Sequence, residues 1–74
     1  MISNERLNGI RAFVQAEQSG SFAAASTELG LSQSAVSKSV SRLEDRLGVR
    51  LFHRTTRSLS LTDEGRIYLE SCRR

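Results

Sequence analysis

Apolar residues recur along this chain at two spacings, and the change between them divides it. Leu7, Ile10, Phe13 and Val14 stand three or four apart, which predicts an amphipathic helix from Asn4 to about Gln18. Ser19-Gly20-Ser21 interrupts it, and Ser21 can cap the next helix by accepting from amides of its first turn. "FAAASTEL" at 22–29 predicts a short, alanine-rich helix that a neighbour can approach closely. Gly30 is placed to end it in the left-handed conformation that costs glycine little. After "GLS", Ser32 can cap a third helix from Gln33 to about Arg46, with Gly48 as its stop.

That third helix has a narrow apolar stripe. Advancing about 100° per residue from Val36, the positions Val40, Leu43 and Leu47 all fall within about 40° of it, so these four are expected in the core. Ser34, Ser37, Lys38, Ser41 and Asp45 point the other way, with Arg42 on the flank. Solvated helix faces usually carry Glu and Lys, since serine is a mediocre helix former. A face this small and hydroxylated suits a different neighbour.

From Val49 the spacing changes to two. "VRLF" alternates, "HRTTRS" is polar and basic, and "LSLT" alternates again, which predicts two short strands around a basic tip. Thr62 can cap a last helix, "DEGRIYLESCRR", whose first-turn acids suit the helix dipole. Ile67, Tyr68 and Cys72 are its expected apolar stripe. The fold class is therefore mainly α, a three-helix core with a two-stranded wing and the start of a further helix.

Charge sharpens the picture. The net charge is +3, yet residues 1–37 sum to −1 and residues 58–74 to zero, so the excess lies in residues 38–57. There Lys38, Arg42, Arg46, Arg50, Arg54 and Arg57 outnumber Glu44 and Asp45. A basic window of this kind suits a polyanion, although a merely solvated basic face is the usual origin of charge runs.

Two helices joined by a tight glycine-containing turn are the layout of a helix-turn-helix. In that layout the serine-lined face meets the major groove, where small hydroxyls let the backbone approach base edges. Gln33 and Lys38 are long enough to read an edge, Gln suiting adenine and Lys guanine. Ser34 and Ser37 join them as expected base contacts, while Lys38 is divided between a base and a phosphate. Ser32 is first a helix cap, with a phosphate contact second. Arg42 is divided between an ion pair with a neighbouring acid and a phosphate. In the wing, about 53–58, Arg54, Thr55 and Arg57 are expected on the DNA backbone or in the minor groove.

Other chemistry finds no constellation. One cysteine, Cys72, and one histidine, His53, provide neither a disulfide nor a metal ligand set. His53 is expected beside Phe52 in a strand, Cys72 as an inert helix residue, and Phe13, Phe22 and Phe52 in the core. Glu44 and Asp63 have no catalytic partners in the sequence, so neither an enzyme nor a cofactor is expected. No apolar stretch is long enough to span a membrane, the first residues lack a signal-peptide layout, and the unpaired cysteine fits the cytoplasm.

The stretch "GSFAAASTELGLSQSAVSKSVSRLEDRLGVRLFHRTTRSLSLTDEG" closely resembles the N-terminal winged helix-turn-helix of LysR-type transcriptional regulators. The resemblance extends from about Leu7 to Tyr68. It rests on "GSFAAA" at 20–25, "SQSAVSKSVSRLE" at 32–44, "LGVRLFHRT" at 47–55 and "LTDEG" at 61–65, in order and correctly spaced. Family members often have proline after the glutamine, where this chain has Ser34, a departure expected to alter base preference rather than fold.

The resemblance implies a sequence-specific duplex-DNA-binding domain over residues 1–61 and the start of a linker helix over 62–74. It also implies homodimers through that helix and a small-molecule effector bound by an absent C-terminal domain; with only about three turns and few apolar residues after Thr62, association of this chain is expected to be weak. The whole protein would be about four times longer, in keeping with ordinary domain sizes. An alternative remains open: a winged helix serving as a protein-interaction module, its basic face on an acidic partner. Such an interface core should be rich in aromatics and Met, which the serine face lacks.

Overall fold

The computed structural model describes residues 4–54 and 59–73. Helices α1 (Asn4–Ser19), α2 (Phe22–Leu29) and α3 (Gln33–Leu47) come first, then strands β1 (Phe52–Arg54) and β2 (Leu59–Leu61), then α4 (Asp63–Cys72). The strands pair antiparallel, with Phe52 opposite Leu61, His53 opposite Ser60 and Arg54 opposite Leu59. This is the expected three-helix core, two-stranded wing and fourth helix.

Local chemistry sets the boundaries. Ser21 Oγ accepts from the Ala24 amide, Ser32 Oγ from Ala35 and Thr62 Oγ1 from Gly65, so all three expected N-caps form. Gly30 and Gly48 close α2 and α3 with φ of 68° and 73°, in the left-handed region where a side chain would be strained. The tight α2–α3 turn that defines a helix-turn-helix thus lies between a glycine stop and a serine start.

The core is small and apolar. Ala12, Phe13 and Ala16 of α1, Ala25 of α2 and Val36, Val40 and Leu43 of α3 are buried together with Leu51, Phe52 and Leu69. The Phe13 ring is 5.3 Å from Phe52 and 5.7 Å from Tyr68, tilted against both, while Phe22 meets Phe52 edge-on at 6.1 Å. The side chain of Leu7 lies outside the described residues.

Three expectations need correction. Leu47 shares the angular stripe of Val36 and Val40 but is 39 % exposed, because the last turn of α3 runs past the core into an open groove beside α4. In α4 the inward residues are Leu69, buried to 5 % exposure, and the half-buried Tyr68, whereas Ile67 is 69 % exposed. The apolar residues of this helix therefore divide between two faces. Finally, "VRLF" becomes a strand only at Phe52. The amides before it turn back to α3: Val49 N–H donates to the Glu44 carbonyl and Leu51 N–H to the Glu44 carboxylate.

Candidate nucleic-acid interface

The outer face of α3 carries most of the candidate residues, and the helix displays them because its other side is fixed by burial. Val36, Val40 and Leu43 anchor one face in the core. Gln33, Ser34, Lys38 and Arg42 are then exposed, with Ser37 and Ser41 half-buried between the two faces. Ser32 stands at the helix entrance, exposed, with its hydroxyl 3.4 Å from that of Ser34. The sequence-predicted base contacts Gln33, Ser34, Ser37 and Lys38 are thus brought together on the first two turns of one helix.

Electrostatics favour an anion at that end. The first turn of α3 holds no acidic residue, and its amides carry the positive end of the helix dipole. Lys38 adds a full charge one turn further on. Asp45 is exposed near the other end, where its carboxylate would disfavour a neighbouring anion. Arg42 is exposed and engaged within the chain, which leaves its division between ion pair and phosphate as the sequence had it.

The wing is positioned but only partly described. Arg54 closes β1, opposite Leu59; its side chain, and the whole of Thr55 and Arg57, lie outside the described residues. His53 is exposed on β1 beside the buried Phe52, which fits a strand residue. Burial pushes the Cys72 thiol up, away from the thiolate that a reactive cysteine needs. Among the described residues no three His, Cys, Asp or Glu side chains gather to hold a metal ion, and no helix is long and apolar enough to cross a membrane.

One buried polar residue escaped the sequence. Glu44 is only 3 % exposed, and its Oε2 accepts from the Leu51 amide at 2.8 Å and the Phe52 amide at 3.4 Å. Arg50 reaches the other oxygen at 3.6 Å from solvent. The only sequence signal was a carboxylate at the edge of the apolar stripe, followed by a glycine stop and an alternating run.

Comparison with known proteins identifies the fold and the family. Residues 7–66 match the family described as bacterial regulatory helix-turn-helix protein, lysR family. The HTH-type transcriptional activator AaeR of Escherichia coli (strain K12) is 49 % identical over 70 residues, covering 95 % of this chain and 23 % of its own length. The HTH-type transcriptional regulator CrgA of Neisseria meningitidis serogroup C is 53 % identical over 62 residues, 84 % of this chain and 21 % of its own. The chain therefore spans about a fifth to a quarter of these relatives. The crystal structure of the CbnR_DBD-DNA complex superposes with a TM-score of 0.85 at 34 % identity, covering 88 % of this chain and 75 % of that one. With its capped helix-turn-helix, its wing and these matches, the chain belongs to the lysR family of bacterial regulatory helix-turn-helix proteins, as a LysR-type DNA-binding domain.

Proposed function

We propose that this domain reads duplex DNA by inserting the first two turns of α3 into the major groove. Gln33 and Lys38 make the discriminating contacts, and Ser34 and Ser37 allow close approach. The observation that carries this assignment is the exposed, acid-free entrance of α3, set against a buried face that fixes its orientation. The wing, through Arg54, Thr55 and Arg57, meets the backbone or the minor groove. Ser32 and Arg42 add phosphate contacts.

The domain acts as the cytoplasmic DNA-reading part of a bacterial transcription regulator, without catalysis or a cofactor of its own. Residues 62–74 begin a linker helix through which two copies associate. A small-molecule effector belongs to a further domain outside this chain. Exposed Ile67, with Leu47 and Val49 at 39 % and 37 % exposure beside it, is the apolar surface open to a second copy. Leu69 and most of Tyr68 are spent on the core, so association is weak. A few half-exposed side chains at roughly 1.5–3 kcal/mol each when fully buried barely exceed the cost of association.

In vitro selection from random duplexes tests this assignment. An enriched motif, arranged as an inverted repeat, is the result expected of a symmetric pair reading two half-sites. Recovery of duplexes with no shared motif would overturn sequence-specific reading.

A further inference from the structure

Glu44 is a charged residue on the recognition helix that faces away from the DNA-binding surface, and nothing in direct readout uses it. Its carboxylate is buried, and burying a carboxylate is costly unless hydrogen bonds replace its water. Two of the replacements come from one place. Leu51 N–H and Phe52 N–H both donate to Oε2, and these are the last residue before β1 and the first residue of β1. The Glu44 carbonyl also accepts from Gly48 and Val49, so one residue holds both ends of the link between α3 and the wing.

The same short segment is gripped from its other side. Thr62, the cap of α4, donates its hydroxyl to the Arg50 carbonyl, and its amide donates to the Leu51 carbonyl at 3.0 Å. Gly65 lies so close beneath that a Cβ there would overlap the Leu51 carbonyl oxygen. Residues 50–52 therefore sit in a polar clamp with Glu44 on one jaw and Thr62 on the other. Strand β1 leaves this clamp directly into Arg54, two residues past Phe52.

We propose that Glu44 is a positioning residue for DNA recognition. It sets the distance and angle between α3 and the wing, so that base reading and wing contacts occur together on one duplex. The proposal rests on the wing assignment above. It does not concern a DNA contact by Glu44 itself, which is buried.

The test is a double-mutant cycle on DNA affinity, using Glu44→Ala and Arg54→Ala at fixed salt, with circular dichroism to check folding. Arg54→Ala in the parent should weaken binding by about three- to tenfold, as loss of one charged phosphate contact does. In the Glu44→Ala background it should cost less than twofold, because the wing is already out of place. Glu44→Gln, which keeps an acceptor for the two amides, should restore most of the Arg54 effect. Should the alanine variant not stay folded, Glu44→Asp draws the carboxylate back from both amides and carries the same cycle. An equal cost of Arg54→Ala in both backgrounds would overturn the positioning role and leave the wing assignment standing. No cost in the parent would overturn the wing assignment, and the positioning role with it.

Discussion

Affinity of the domain for duplex DNA should fall about 40-fold between 50 and 200 mM monovalent salt, for each domain bound. The cations expected on phosphate are Arg42, Arg54 and Arg57, all inside the basic window of residues 38–57, with Lys38 assigned to a base edge. Each phosphate neutralised releases condensed counterions, so three contacts give a slope of about −2.7 in log affinity against log salt. Arg46 and Arg50 are left out of this count. Arg50 is turned to Glu44, and the Arg46 guanidinium lies toward Gly9 of α1. Arg57→Ala should flatten the slope by about 0.9 and weaken all duplexes alike, since a phosphate carries no sequence information. Fluorescence anisotropy over a salt series measures both. A slope near zero would mean that the basic window is a solvated face after all.

Phe13→Ala should cost about 3–5 kcal/mol of folding stability. Phe13 is fully buried, and its ring is where α1, the wing and α4 meet through Phe52 and Tyr68. Truncation leaves a cavity among elements that cannot collapse together, because Leu51 and Phe52 at the entry to β1 are also hydrogen-bonded to Glu44 of α3, and Leu51 to Thr62, the cap of α4. A domain of 74 residues has roughly 4–11 kcal/mol in total, so the variant should stand near its unfolding limit. Thermal unfolding should show Tm lowered by at least about 12 °C. Ile67→Ala, at an exposed site, is the control and should cost no more than about 0.5 kcal/mol. A loss below about 1 kcal/mol at Phe13 would show that the three elements are not held by that ring.

What the sequence revealed was whatever depends on local chemistry. Ser21, Ser32 and Thr62 cap because their hydroxyls reach amides three residues on, and Gly30 and Gly48 stop helices because φ is positive there. The outer face of α3 was legible for a related reason. Helical period fixes which side chains oppose Val36 and Val40, whatever else the fold does.

What escaped depends on where other elements end. Leu47 is in phase with the core, but no element covers the last turn of α3. Leu69 could be assigned to core or partner only once α4 was seen to pack on α1 and β2. Glu44 lies about 80° from Val36 on the helical wheel, a flank position that solvent or a returning chain could equally fill. The second role of Thr62, donating to Arg50 while capping α4, likewise needs the strand to be in place. In the site, period placed Gln33, Ser34, Ser37 and Lys38 together, whereas Thr55 and Arg57 lie outside the described residues.

The central claim is that the first two turns of α3 read base edges. It is tested most directly by repeating the random-duplex selection with Gln33→Ala and Lys38→Ala beside the parent domain. A bidentate contact discriminates against wrong bases by about 1–3 kcal/mol, so its loss should relax preference about 5- to 150-fold at the positions read. Each variant should therefore lose information at its own position in each half-site while the rest of the motif persists. Motifs unchanged from the parent in both variants would contradict the claim and move base reading to other residues.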